Sequence, residues 1–317
     1  MSFPGFIGHA RIQEILLRML KGGRLPHALL FVGPEGTGKT TLAHLLAKSV
    51  LAHKGDLALH PDFLTFEVLV DEKTGKRKSQ ISVDQVRELT GRLGLSSLSG
   101  GAKVVFIEST SSLSMGAVNA LLKTLEEPKG DTHFILRAGS SDELPATIVS
   151  RCQTLRFGIV PQREIIEALT KMGFTKSDAQ AGAAQSLGRP GRAIRYLKES
   201  TYQAGLTTGL NQAIAFFSSS LPKRLGQVMK LIPKAEAEKE EVLTSLIDQW
   251  ELVCRDVILR QLGLASWQVF TSEPLDRLAA VTSSKSLLST MRALGEVRSG
   301  INHHVNPHLA LEHLALS

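Results

Sequence analysis

A chain of 317 residues, 43% hydrophobic and with no run close to the ~20 consecutive apolar residues that cross a bilayer, is expected to form two or three domains in the cytoplasm, away from any membrane. Cys152 and Cys254 lie far apart without companion ligands, which excludes a disulfide framework, and Met1-Ser2-Phe3-Pro4-Gly5 lacks the basic-then-apolar order of a signal peptide. The formal charge of +7 suits a polyanionic partner, whereas two Trp and two Tyr are too few for a base-stacking platform.

From about Ile12 to Phe157 helix-like and strand-like stretches alternate, the pattern of an α/β sheet with crossover helices. Strands are predicted at Ala28–Val32, Phe63–Val68, Lys103–Ile107, Thr132–Leu136 and Thr154–Phe157. Several are continuous apolar runs, as parallel strands covered on both faces require. Helices are predicted at Thr41–Ala52, Val83–Leu93 and Ala117–Leu125, the second opened by a capping box between Ser82 and Gln85. Gly75-Lys76-Arg77-Lys78 reads as a solvated hairpin loop.

Beyond Pro161 the strand signals fade. Ile165, Ile166, Leu169 and Met172 recur at helical spacing, Thr175 is a candidate N-cap, and a third helix takes in Arg192–Leu197. Ala213–Phe217, Leu225–Leu231, Val242–Leu262 and Leu275–Leu294 carry apolar stripes of helical period. The expected division is an α/β nucleotide-binding domain over 1–160, a small helical lid over 161–203 and an all-helical collar over 204–317.

Gly33-Pro34-Glu35-Gly36-Thr37-Gly38-Lys39-Thr40 has the phosphate-loop pattern between an apolar strand and a helix, the context the motif requires. The glycines Gly33, Gly36 and Gly38 let backbone amides face phosphate, with Thr41 in the first helical turn. Lys39 would reach the β- and γ-phosphates of ATP, or the β-phosphate of ADP, and Thr40 would ligate Mg²⁺. An NTPase also needs a strand ending in two carboxylates, one for the metal shell and one to polarise water. Lys103–Ile107 ends in Glu108-Ser109 instead. Glu108 is left as a degenerate metal-side carboxylate, and Ser109 cannot orient water, a loss of about 10²–10⁴ in rate. Nucleotide binding is expected and hydrolysis in the chain's own site is not.

Asn119-Ala120-Leu121-Leu122-Lys123-Thr124-Leu125-Glu126-Glu127-Pro128 resembles the signature segment of bacterial clamp-loader subunits of the AAA+ family, and Thr147-Ile148-Val149-Ser150-Arg151-Cys152-Gln153 resembles their Ser-Arg-Cys motif. His60-Pro61-Asp62 and Gly188-Arg189-Pro190-Gly191-Arg192-Ala193 are similar to segments of the delta-prime type within that family. The resemblance runs from about Phe6 to Leu197. It implies an AAA+ P-loop core with a parallel sheet, a helical lid and a helical collar. It also implies partners: motor subunits of gamma or tau type, a delta-type subunit, the sliding clamp, and primed template DNA reached through the assembly.

By the same resemblance Arg151 is an arginine finger acting in trans on a neighbour's ATP site, although an arginine at a strand edge can equally pair with an acidic neighbour. Phe6-Ile7-Gly8 resembles the adenine-side segment, with Phe6 and Ile7 either lining the base or packing in the core. Arg87 falls in a region that resembles a contact to the DNA backbone; a solvated surface arginine reads the same way. Three hydrolytic elements depart from the motor pattern: Ser109, Ala138-Gly139 where a polar sensor is usual, and Gly191, one residue before Arg192, where a lid arginine is usual. The four-cysteine zinc module of the motor subunits is missing between Leu51 and His60, so no zinc is expected. The alternative is an active motor ATPase of the same loader. An unrelated P-loop enzyme would leave the Ser-Arg-Cys segment and the long helical tail unexplained.

Overall fold

A computed structural model describes residues 2–69, 78, 80–231, 236–264, 268–302 and 307–316. The basic turn Gly75–Arg77 lies outside these residues. The chain divides into two compact units, Met1–Leu197 and Lys198–Ser317.

In the first unit, α1 (Ala10–Lys21) leads into β1 (Ala28–Val32), followed by α2 (Lys39–Val50) and β2 (Phe63–Phe66). Then come α3 (Val83–Leu93), β3 (Lys103–Ile107), α4 (Met115–Glu126), β4 (Thr132–Ala138), the short α5 (Ala146–Val149) and β5 (Gln153–Arg156). The strands form one parallel sheet in the order β2-β3-β4-β1-β5. Side chains alternate across it because successive Cβ atoms point to opposite faces. Leu30, Val32, Val105, Ile107, Phe134 and Leu136 bury against Val86 and Leu89 of α3 and Leu121 and Leu125 of α4. Leu29, Phe31, Val104, Phe106 and Ile135 bury on the other face against Leu16 of α1 and Leu42 and Leu46 of α2. Coverage on both faces is why β1 and most of β3 read as apolar runs.

The capping box opening α3 is formed: the Ser82 hydroxyl accepts from the Gln85 amide at 3.3 Å, and the Gln85 side chain accepts from the Ser82 amide at 3.0 Å. At its other end the buried Lys103 ammonium donates to the carbonyls of Arg92, Leu93 and Leu95, neutralising the end of the helix where carbonyls are unpaired. Asp62 holds the segment that follows. Its carboxylate accepts from the Ser97 hydroxyl at 2.9 Å, the Leu98 amide at 3.1 Å, the Ser99 amide at 2.9 Å and the Ser99 hydroxyl. The His60-Pro61-Asp62 motif thus has a structural task, anchoring the approach to β3.

Those hydrogen bonds, opposed by burial, hold the Asp62 carboxyl at about 2. Its folded pKa lies below the unfolded value of about 3.9, so the stabilisation, on the order of 2 kcal/mol, is complete above about pH 4 and is lost as pH falls toward 2. Asp62→Ala is expected to lower stability by about 2–4 kcal/mol at neutral pH, because two amides lose a buried acceptor. Urea unfolding at neutral pH and near about pH 2.5 checks this: the deficit should shrink in acid.

The first unit ends with α6 (Gln162–Lys171), α7 (Lys176–Gln185) and α8 (Pro190–Lys198). Thr175 caps α7, its hydroxyl accepting from the Asp178 amide at 3.1 Å. Ile165, Leu169, Ala179, Ala183 and Ala193 form a small core that also takes in Ile7 and Val160.

In the second unit α9 (Ser200–Phe217), α10 (Leu221–Leu231), α11 (Glu236–Gln261), α12 (Glu273–Val281), α13 (Ser284–Asn302) and α14 (Pro307–Leu316) make a helical assembly in which α11 packs on α9, α12 and α13. Trp250 of α11 stacks on Phe216 of α9 with ring centroids 4.3 Å apart. The fully buried Asp256 accepts from the Val269 and Phe270 amides at 2.8 and 2.7 Å. The predicted stretch Leu275–Leu294 is two helices, because Thr282 turns extended (φ −97°, ψ 134°) and Ser283 starts a new hydrogen-bonded turn. No helix among the described residues is long and apolar enough to cross a membrane.

Candidate nucleotide site

The loop Gly33–Gly38 leaves the carboxyl end of β1 and delivers Lys39 and Thr40 to the first turn of α2. Both of its ends are fastened. The Gly33 amide donates to the Gly139 carbonyl after β4 at 3.1 Å, and the Thr37 hydroxyl closes the loop on the Pro34 carbonyl at 2.8 Å. Gly38 takes a left-handed conformation (φ 100°) to turn the chain into α2, beneath the ring of Phe6. Lys39 is buried, and its ammonium donates to the Gly33 and Pro34 carbonyls inside the loop. Burial, with the Arg137 guanidinium nearby, pushes its pKa down to about 8. Thr41 stands exposed one residue later.

The amino-terminal segment closes one side. Gln13 fixes it, accepting from the Phe3 amide at 2.8 Å and donating to the Gly8 carbonyl at 2.6 Å. The His9 ring is hydrogen-bonded to the Thr37 carbonyl at 3.1 Å. Ile7 is buried in the α6–α8 core, and Phe6 packs half-buried against the α1–α2 face. Phe6-Ile7-Gly8 therefore lies between the phosphate loop and the small helical core, with the Ile7 side chain spent on packing. From the same side comes α8, whose Gly191 amide donates to the Gly36 carbonyl at 2.8 Å. A Cβ added at Gly36 would lie 3.2 Å from the Arg192 Cγ and 3.4 Å from the Arg189 Cβ, so both arginine stems rest on the loop apex.

The strand order sets what faces Thr40. β4 lies between β3 and β1, so a side chain at its carboxyl end reaches both Glu108 and the start of α2. That side chain is Arg137. Its Nε donates to the Glu108 carbonyl at 2.6 Å, one terminal nitrogen donates to the Thr40 hydroxyl at 3.3 Å, and the other lies 3.8 Å from the Glu108 carboxylate. Ser109 is engaged with Ser112, hydroxyl to hydroxyl at 2.8 Å. Glu143 accepts from the Gly139 amide at 3.2 Å, at the position expected for a polar sensor. Sequence reasoning missed Arg137, Arg189 and Glu143. A charge inside a buried strand is costly unless paired, and that signal could have marked Arg137.

The residues present fit a nucleotide: a glycine loop, a buried lysine and a helix N-terminus converge on one point. They do not fit a magnesium ion, which needs oxygen ligands at about 2.1 Å in near-octahedral order. A guanidinium stands between the two oxygen donors, Thr40 and Glu108, that such an ion would use.

The other predicted residues lie apart. Arg151 follows α5, its Nε donating to a Glu126 carboxylate oxygen at 2.8 Å with a terminal nitrogen on the same oxygen, and its other terminal nitrogen donating to the Thr147 carbonyl at 2.9 Å. Arg87 is exposed on α3 and pairs with Asp84 at 3.3 Å. Burial pushes the Cys152 thiol up to about 11 and the Cys254 thiol up to about 12, so neither is an activated nucleophile.

A phosphate loop on a parallel sheet of this order, with a small helical module packed beside it, defines a P-loop NTPase fold of the AAA+ class. Residues 8–160 match the family model described as "DNA polymerase III, delta subunit". DNA polymerase III subunit delta' of Escherichia coli is 34% identical over 64% of this chain and 63% of its own length. The delta' subunit of Bacillus subtilis is 25% identical over 96% of this chain and 94% of its own length. Subunit tau of B. subtilis is 32% identical over 54% of this chain and 31% of its own length. The chain is therefore similar to DNA polymerase III delta-prime subunits, most clearly over residues 8–160. It spans 63% and 55% of the lengths of the E. coli and Haemophilus influenzae delta' subunits.

Proposed function

We propose that this chain is a clamp-loader subunit that binds ATP or ADP in its own phosphate loop without hydrolysing it. In this reading it completes a neighbouring motor subunit's site with Arg151. Its partners are motor subunits of gamma or tau type and a delta-type subunit, with the sliding clamp and primed template DNA engaged by the assembly. The observation that carries the reading is an intact phosphate loop with a buried lysine, beside a β3 end that offers Ser109 where a water-orienting carboxylate is needed. Relatives named as delta', gamma and tau subunits of DNA polymerase III support the loader context. The 198–317 helices supply the collar through which subunits associate. Arg87, exposed on α3, is the candidate for a DNA phosphate contact, which adds affinity and no sequence preference.

Binding of a fluorescent ADP to the isolated chain tests the site. Lys39→Ala is expected to weaken it by about 10–100-fold, the worth of a charge-assisted contact to phosphate. The native affinity should fall about tenfold from about pH 7 to about pH 9, because the ammonium of pKa about 8 must be charged to hold phosphate, and this slope should vanish in the variant. Equal affinity for both proteins would remove Lys39 from the site. ATP turnover by the isolated chain at motor-subunit rates would favour the active-motor alternative.

A further inference from the structure

We infer that Arg137 takes the place of the divalent cation in this site, so that the nucleotide is held by protein cations alone. The inference rests on the nucleotide-binding reading above. In a P-loop site the metal ion bridges phosphate oxygens while the loop threonine ligates it and a carboxylate from the neighbouring strand orders its shell. Here those two groups are Thr40 and Glu108, and both face Arg137. The guanidinium is fixed rather than swung in from solvent. Its Nε is tied to the Glu108 carbonyl at 2.6 Å, its stem rises from β4 between β3 and β1, and Arg137 is paired in register with Phe31 of β1.

Electrostatics point the same way. A second cation within about 4 Å of a guanidinium is repelled by several kcal/mol at the effective dielectric of such a site, and Lys39 already adds one positive charge beside it. A guanidinium has five N–H donors, and its planar fork matches phosphate oxygens. With one donor on the Glu108 carbonyl and one on Thr40, others remain for a β-phosphate above the loop. The fixed charge supplies the neutralisation that a metal brings elsewhere. It does not supply a coordinated, mobile ion at the transferring phosphoryl, which accords with a site that retains nucleotide and does not turn it over.

The test is binding of fluorescent ADP to the full chain with excess Mg²⁺ and with EDTA, for the native protein and Arg137→Ala. Native affinity should change by less than about threefold on chelation, whereas the variant should lose at least about tenfold in EDTA and regain it with Mg²⁺. Electron paramagnetic resonance with Mn²⁺ gives a second readout: ADP should recruit the ion to the variant and not to the native chain. Native binding that collapses in EDTA overturns the inference and leaves nucleotide binding standing. Binding that ignores Mg²⁺ in both proteins overturns the role of Arg137. Absence of ADP binding by the native chain under either condition overturns the nucleotide reading, and this inference with it. The native comparison stands even where the variant folds poorly.

Discussion

Replacing Arg151 with alanine is expected to lower ATP turnover at the neighbouring motor site by about 10³–10⁵-fold, the usual worth of an arginine finger. The expected cost to the chain's own stability is below about 1 kcal/mol. The first expectation rests on the proposed trans role, the second on the geometry. Arg151 is a third exposed, and its partner Glu126 is half exposed. A pair that open to water contributes about 0–1 kcal/mol, because solvent screens the attraction and two long side chains are immobilised. A developing phosphoryl charge offers more than the single carboxylate does, so the guanidinium can leave Glu126 when a neighbour's nucleotide approaches. Arg151→Lys should not rescue the rate, since an ammonium lacks the planar fork. The measurement is turnover by the reconstituted loader with clamp and primed DNA, with any other motor site silenced at its phosphate-loop lysine, beside a thermal melt of the isolated variant. Unchanged turnover in an intact assembly would sink the trans role and leave Arg151 as the surface partner of Glu126.

The fold was legible where local chemistry and burial agree. All five strands were anticipated, β1 and β3 most plainly as apolar runs because a parallel strand covered on both faces leaves little room for polar residues, and Ser82 and Thr175 announced their helices through the hydrogen bonds that caps need. What failed was non-local. The predicted fourth strand stopped at Leu136 because Arg137 broke the apolar run, yet β4 continues to Ala138, and its arginine is tolerated because the sheet order brings Glu108 and Thr40 to it. Likewise the leucines from Leu275 to Leu294 keep a helical period straight through the break at Thr282, so periodicity alone could not see two helices. In the site the place of the glycine loop between β1 and α2 was legible from its spacing. The closeness of Arg189 and Arg192 to Gly36 was not, because it depends on α8 folding back across about 150 residues of chain. Arg151 shows the limit from the other side: its motif suggested a finger, and the ion pair with Glu126 that the structure records was the competing reading.

The phosphate loop's glycines are not equivalent, and Gly33→Ala is expected to be the most damaging single methyl added to the site. A Cβ at Gly33 would sit 2.1 Å from the Phe157 carbonyl oxygen, and the residue holds φ at 144°, where L side chains rarely go. Phe157 cannot retreat. Its amide donates to the Val32 carbonyl at 2.7 Å, its side chain is buried against the α1–α2 face, and the Gly33 amide is tied to Gly139 on the opposite side. Backbone strain of about 1–3 kcal/mol adds to a backbone clash that only opening the β1–β5 seam relieves, for a total of about 4 kcal/mol or more. For a unit of this size that is a fall of about 8–16 °C in Tm. Gly38→Ala is the control. There the obstacle is the Phe6 ring edge, 2.8 Å from the added atom and the far end of a half-buried side chain that can rotate away, so the strain at φ 100° dominates at about 1–3 kcal/mol. Calorimetry of the two variants should rank Gly33→Ala well below Gly38→Ala, with nucleotide binding weakened in both. A Gly33→Ala melt within about 2 °C of the native protein would mean that the loop is not wedged between Phe157 and Gly139, and the position assigned to Lys39 would fall with it.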